Sequence, residues 1–291
     1  MMIKITKKCN NNCKICFMSD KYHQKTVKAD PFPEEQLKSL ISENKNLKSI
    51  NFSGGEPTVH PKFFQLMEIL KENNVELILN SNLRLFCYEE FVKKILQYGN
   101  LAFVRTSLYS HIPEIHDSIT QTKGSWDQTV GGMKNLLKYG FNPENLKVNM
   151  VMTTLNIANL KETAKFILNL DKSINLKFSF LDAEGNVMNN TDLLPKLQTV
   201  YPHLLEAVET VERMGIKKVF VEKGPLCSCP NKKIINYLYE PSLLEGGRHM
   251  KPKNCNDCNQ DRCVGIHKNY FKIYGGDELS PVGKLQIKIS S

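Results

Sequence analysis

Long apolar runs are missing from this chain of 291 residues: no stretch approaches the ~18 residues that a membrane-spanning helix needs. A secretory leader is not expected either, because a cysteine-bearing phrase already begins at residue 9. Arginine-rich tracts are absent, and the lysines are scattered (Lys7, Lys8, Lys93, Lys94, Lys217, Lys218, Lys232, Lys233). Neither an aromatic RNA-binding signature nor a helix-turn-helix is evident. The net charge of +9 therefore reads as a solvated lysine surface, with nucleic acid as the less favoured partner and an acidic protein partner also compatible. Tryptophan occurs once, at Trp126, and is core by default. What remains is the expectation of a cytoplasmic globular protein with 41% hydrophobic residues and length for one barrel-sized domain. In a reducing compartment its nine cysteines read as metal ligands before disulfides.

Two phrases carry the chemistry. The first is Cys9-Asn-Asn-Asn-Cys13-Lys-Ile-Cys16-Phe17, and the second is Asn51-Phe-Ser-Gly54-Gly55-Glu56-Pro57. Three thiolates spaced four and three residues apart on one short loop reach three corners of a cubane and leave the fourth iron without a protein ligand. An electron-carrying cluster prefers four thiolates and a structural zinc prefers four closed ligands, so the bare triplet points to an iron kept open for chemistry.

This pair of phrases, in this order, resembles the radical S-adenosylmethionine superfamily, whose loop reads C-x3-C-x2-C before an aromatic residue and whose second strand ends in Gly-Gly-Glu-Pro. The resemblance implies a 4Fe-4S cluster on Cys9, Cys13 and Cys16, with S-adenosylmethionine chelated at the open iron. It implies that Phe17 packs beside the adenine and that Gly54, Gly55 and Glu56 meet the methionine amino group. It also places Ser81 and Asn82 near the cofactor, Ser107 on the ribose or methionine carboxylate, and Asn156 on the adenosine. For these four the plain alternative is a turn former or cap.

Apolar strands alternate with amphipathic helical stretches from residue 1 to about 222, the pattern of βα units on a parallel sheet. Strands are expected at Ile3 to Thr6, Ser49 to Phe52, Glu76 to Asn80, Ala102 to Ser107, Lys147 to Thr153 and Leu176 to Leu181, with a short last one near Val219. Helices are expected after Pro33 and Pro61, at Tyr88 to Tyr98, Asp127 to Tyr139, Leu160 to Leu170 and Leu193 to Met214. The fold class is α/β: a partial (β/α)6 TIM-like barrel over residues 1–222 and a small cysteine-rich C-terminal extension over 223–291. His116 and Asp117 invite an acid/base reading, but capping of the following helical segment is favoured. Cys87 reads as an inert thiol.

The extension supplies Cys227, Cys229, Cys255, Cys258 and Cys263. Cys255 and Cys258 form a tight chelate, Cys263 adds a third arm, and Cys227 or Cys229 closes a four-thiolate site, with resemblance to the family's lone upstream ligand favouring Cys227. The group resembles the one-cluster extension of maturase-type members, which implies an auxiliary 4Fe-4S cluster; zinc is the alternative.

The function so implied is reductive cleavage of S-adenosylmethionine to a 5′-deoxyadenosyl radical that takes hydrogen from a peptide or protein side chain for oxidative modification. A flavodoxin- or ferredoxin-like donor would supply electrons. A nucleoside, RNA or small-molecule substrate is one alternative, and a noncatalytic iron–sulfur redox module is another.

Overall fold

The computed structural model describes residues 1–19, 30–216, 219–228, 235–238, 247–258, 263 and 265–279. Eight strands form one parallel sheet in chain order: β1 (Met2–Thr6), β2 (Ser49–Gly54), β3 (Glu76–Asn80), β4 (Leu101–Ser107), β5 (Leu146–Met152), β6 (Asn175–Phe180), β7 (Val219–Glu222) and β8 (Ile235–Leu238). Every adjacent pair is parallel, and no β8–β1 pairing closes the sheet among the described residues. The expected six-stranded partial barrel is present, and it continues through β7 into β8. That last strand lies beyond the anticipated boundary at residue 222, and its four residues are too short a run to stand out from a cysteine-rich segment.

The connecting helices are α1 (Glu34–Glu43), α2 (Phe63–Glu72), α3 (Glu89–Gln97), α4 (Pro113–Thr120), α5 (Ser125–Lys138), α6 (Leu160–Leu170) and α7 (Leu197–Arg213). Burial alternates residue by residue along β3 and β5, as a pleated sheet with one helix-covered face requires. In β5, Leu146, Val148, Met150 and Met152 are fully buried while Lys147, Asn149 and Val151 are half-buried. Ile50, Phe52, Leu77, Leu79, Val104, Leu176, Phe178, Val219 and Val221 continue the apolar face into one core. The opposite, inner face mixes polar and charged residues with Ile78, Phe103, Val151 and Phe220.

Two helix boundaries differ from expectation for identifiable reasons. The helix awaited from Leu193 begins at Leu197, because Pro195 holds Leu194 extended. The helix awaited from Asp127 begins at Ser125. Its first turn is capped from a distance by Asp117 of α4, whose carboxylate accepts from the Gly124 N–H (2.6 Å), the Ser125 hydroxyl (2.8 Å) and the Trp126 N–H (2.8 Å). Asp117 is therefore a cap, and its carboxyl is held below the usual range; burial opposes those three hydrogen bonds. Helix α4 was not anticipated as such; Pro113 at its start and the apolar side chains of Ile115 and Ile119 are its signals.

Past β8, the short antiparallel pair β9 (His249–Met250) and β10 (Ile266–His267) leads into α8 (Lys268–Tyr274). Tyr270 anchors this segment to the barrel by accepting from the Leu197 N–H at 2.8 Å. Among the described residues no helix is long and apolar enough to cross a membrane.

Candidate functional site

Parallel barrel sheets gather their chemistry on the loops at the carboxyl ends of the strands. The loop after β1 carries Cys9, Cys13 and Cys16, and four separate elements hold it. From α4, the Thr120 and Ile119 carbonyls accept from the N–H groups of Asn12 (3.0 Å) and Lys14 (2.9 Å). From the loop after β6, Asn186 donates its amide to the Cys13 carbonyl (2.8 Å) and its N–H to the Cys16 carbonyl (3.0 Å). Arg84, after β3, donates to the Asn10 carbonyl and to Asn11 Oδ1 (3.0 Å), and is itself braced by Gln128 (2.6 Å). The fourth element is the turn after β2.

In that turn, the N–H groups of Gly55 and Glu56 donate to the Thr6 and Lys8 carbonyls, each at 2.8 Å. Glycine is required by contact: a Cβ at Gly54, whose φ is +128°, would lie 2.3 Å from the Thr6 carbonyl oxygen, and one at Gly55 would lie 2.2 Å from that of Lys8. The close approach is thus between the glycine pair and the backbone that leads into Cys9.

Glu56 is 1% exposed, and its carboxylate accepts from the Thr58 hydroxyl (2.7 Å) and N–H (3.2 Å), the Ser81 hydroxyl (2.8 Å) and the Asn82 N–H (2.7 Å). Burial pushes its carboxyl up while these four donors pull it down. The side chain expected at the methionine end therefore ties the β2 turn to the β3 turn. Asn82 continues the link by donating to Asn10 Oδ1 at 2.6 Å, with its amide 4.0 Å from Cys9 Sγ.

Asn156 is fully buried. Its oxygen accepts from the Thr153 N–H (2.7 Å) and hydroxyl, and its amide donates to the Tyr109 and Val151 carbonyls, each at 2.8 Å. All of its polar atoms are engaged within the protein. Phe17, by contrast, keeps 42% of its surface exposed, with Lys223 Nζ 5.9 Å from its ring centre. Ser107 ends β4, and its side chain lowers the ionisation of the nearby Tyr109 hydroxyl, against the larger effect of burial.

Tyr109 is the residue that sequence reasoning passed over here. Its hydroxyl also reaches the Cys13 thiol, and burial followed by the three thiols of Cys13, Cys16 and Cys9 raises its ionisation well above the ordinary phenol. Its backbone N–H donates to His116 Nδ1 at 3.2 Å. The signal available was an aromatic residue two positions past the end of strand four.

The three thiols of the first loop fit a metal cluster. Burial pushes Cys13 up to about 12, with Cys16 and Cys9 adding to the rise, and burial likewise pushes Cys9 up to about 11. Three neutral thiols packed within one another's field become thiolates when a cation is present to hold them.

At the second cysteine group, Cys263 Sγ accepts from the N–H groups of Leu226 (3.2 Å) and Gly265 (3.4 Å), which brings the Cys227 turn against it. The Cys258 N–H donates to the Cys255 carbonyl at 3.0 Å. Burial raises the Cys255 thiol, and Cys263 and Cys258 raise it further. Cys227, Cys255, Cys258 and Cys263 are all half-buried; Cys229 lies outside the described residues. Among the described residues, no three His, Cys, Asp or Glu side chains converge on one metal ion. A cubane does not ask for such convergence, because each thiolate takes its own iron.

One loop touches both the first cysteine loop and the C-terminal extension. While Asn186 grips the first cysteine loop, Glu184 takes Arg248 (3.2 Å) and His267 (3.0 Å) from the extension, and the Ala183 carbonyl accepts from Asn269 (2.8 Å). Gly185, at φ +61°, permits this: a Cβ there would lie 2.4 Å from the Cys16 carbonyl oxygen. Asp182 completes the contact with Lys223 at 2.5 Å.

Comparison with known proteins agrees with this layout. Residues 3–167 match the Radical SAM superfamily. The chain is 27% identical over 215 residues to the tungsten-containing aldehyde ferredoxin oxidoreductase cofactor-modifying protein of Pyrococcus furiosus, covering 69% of this chain and 58% of the relative. It is 31% identical over 165 residues to the mycofactocin maturase MftC of Mycobacterium tuberculosis, covering 55% and 39%. The chain thus spans about half the length of these curated relatives. Among solved structures, SuiB of Streptococcus suis bound to its precursor peptide SuiA shares the fold, with a TM-score of 0.59 at 14% identity over 77% of this chain and 48% of that one.

Proposed function

Because the chain belongs to the radical SAM superfamily, we propose that it modifies a peptide or protein side chain by hydrogen abstraction, with a second metal site in its C-terminal extension. The observation that carries the reading is the single braced loop presenting Cys9, Cys13 and Cys16 against the Gly54-Gly55 turn. A 4Fe-4S cluster held on that loop would supply the electron for reductive cleavage of S-adenosylmethionine, the chemistry that yields a hydrogen-abstracting radical.

The residues of this chain then position and exclude. Cys9, Cys13 and Cys16 hold the cluster. Phe17 offers its exposed ring face to the adenine. The β2 turn meets the methionine end through its backbone, since the Glu56 carboxylate is taken by Thr58, Ser81 and Asn82. Asn156 acts at one remove, fixing the Tyr109 carbonyl beside the site. Ser107 and Tyr109 lie together next to Cys13, suited to the cofactor's polar end. The polypeptide substrate is supported by similarity to a maturase and by the fold shared with a precursor-peptide complex.

Cys227, Cys255, Cys258 and Cys263 fit an auxiliary 4Fe-4S cluster, and the reading is supported by the loop after β6, which holds the first cysteine loop through Asn186 and the extension through Glu184. The test is iron and sulfide analysis after anaerobic reconstitution, followed by dithionite, S-adenosylmethionine and detection of 5′-deoxyadenosine. About eight irons with deoxyadenosine formed is the expected result. About four irons plus one zinc would make the extension a structural site. Absence of deoxyadenosine would leave only a noncatalytic iron–sulfur module.

A further inference from the structure

His249, on β9, is only 8% exposed, yet neither of its ring nitrogens has a hydrogen-bond partner among the described residues. Buried polar atoms are paired in folded proteins, so two orphans on one ring ask for a ligand. His267, its neighbour in the strand pair, shows the contrast. The two ring centres are 5.3 Å apart, but His267 Nδ1 accepts from the Asn269 N–H (3.2 Å), which leaves the other nitrogen to donate to Glu184 (3.0 Å). One histidine of the pair holds the extension to the barrel, and the other is left for a different task.

The surroundings of His249 lead to Phe17. Burial and then His267 keep the ring neutral against the pull of Asp182, while Lys223 and Arg248 add to the effect of burial. Asp182 and Lys223 pair at 2.5 Å and line a common cavity with His267, and the Lys223 ammonium lies 5.9 Å from the centre of the exposed Phe17 ring. The loop that carries Asp182 touches Phe17 as well, since a Cβ on Gly185 would lie 2.7 Å from Phe17 Cα. Lys223 is held at φ +68°, a left-handed conformation that costs a lysine energy and that folded chains keep mostly at working sites. The Asp182 side chain is 10% exposed; its Oδ2 takes Lys223, and its Oδ1 has no hydrogen-bond partner among the described residues.

A carboxylate oxygen and a neutral imidazole beside an aromatic ring suit a nucleoside. Resting on the reading of Phe17 as the platform for the adenine, we propose that Asp182 and His249 bind the ribose hydroxyls of S-adenosylmethionine. Asp182 Oδ1 accepts from one hydroxyl, and the imidazole of His249 exchanges a hydrogen bond with the other. A vicinal diol matches this pair because each hydroxyl can both donate and accept. The site is shared between two parts of the chain: Phe17 and Asp182 come from barrel loops, and His249 comes from the extension. Docking of the extension through Glu184, Arg248 and His267 therefore completes the nucleoside pocket, and cofactor binding reports on that docking.

The test is calorimetry of the anaerobically reconstituted full chain with S-adenosylhomocysteine and with its 2′,3′-dideoxy analogue. The wild-type chain should bind the ribose compound at least about tenfold more tightly, since a site built for hydroxyls rejects a ligand that lacks them. His249→Phe should bring the two affinities within about threefold of each other by weakening the ribose compound alone. His249→Gln, which keeps a donor and an acceptor, should retain part of the preference and guards against a folding defect in the phenylalanine variant. Lys134→Gln, on the exposed side of α5, should match the wild type. Equal affinity of the wild type for the two compounds, or a preference that survives intact in His249→Phe, overturns the proposal. An equal loss of both affinities in the two His249 variants also overturns it, because a purely structural role would act on both ligands alike. Deoxyadenosine formation by the wild-type protein is measured alongside. If it fails while the ribose preference persists, the radical reading falls and the nucleoside site stands; if it succeeds without a ribose preference, the reverse holds.

Discussion

Asn186, in the loop after β6, donates its side-chain amide to the carbonyl of Cys13 across 2.8 Å, joining residues 173 positions apart in the chain. The bond locks the loop after β6 to the loop after β1. Its partner groups are half-buried, so removing the donor leaves a carbonyl poorly satisfied. Asn186→Ala should lower stability by about 1 kcal/mol, a drop of about 2–4 °C in Tm for a chain of this size. Iron retention during desalting should fall as well, and calorimetry beside iron analysis reads both.

Gly55 offers a sharper test of the same loop. A methyl group there would sit 2.2 Å from the Lys8 carbonyl oxygen and 2.7 Å from that of Lys7, both backbone atoms that cannot swing aside. Gly55→Ala should cost at least about 2 kcal/mol and abolish stable iron binding. A variant that reconstitutes with the wild-type iron content would show that the β2 turn is not a support of the cysteine loop.

Stability should fall in mild acid, and His116 is one reason. Burial holds its ionisation down at about 4, against an ordinary value of 6.5, while Asp117 pulls weakly the other way. The unfolded chain therefore takes up a proton between those two values and the folded chain does not. The stability gained from keeping the ring neutral is complete above about pH 6.5 and lost progressively down to about pH 4, by about 3 kcal/mol in all. His249, also held at about 4 by burial, adds a second contribution with the same sign. Denaturant unfolding at pH 7.5, 6 and 5 should show this slope, and His116→Phe should start less stable but fall less steeply.

The two cysteine groups should separate in function. Cys258→Ala should lose about four irons and stop formation of modified product, yet leave reductive cleavage of S-adenosylmethionine largely intact. Cys13→Ala should abolish that cleavage. Full product formation by the Cys258 variant would make the second group a structural staple.

Local spacing carried much of this architecture into view. The strand sequence, helix Leu160–Leu170 and the gathering of the first three cysteines follow from periodicity and from ligands close together in the chain. What stayed hidden depends on distant partners. Nothing near Glu56 announces that Ser81 and Asn82 will consume its carboxylate, and nothing near Asn156 announces the Tyr109 carbonyl. Asp117 was readable as a cap because its targets are seven to nine residues away. Arg84 and Asn186, which hold the cysteine loop from afar, carry no motif at all; only Gly185, marking a close backbone approach, hinted at the second.

Because backbone bonds from α4, the β2 turn and the loop after β6 already shape the first cysteine loop, metallation here differs from that of a zinc finger, where the ion must fold the chain around itself. The loop's shape rests on protein partners as well as on the ligands it offers, so a change at Thr120, Gly55 or Asn186 reaches the cysteines without touching a thiol.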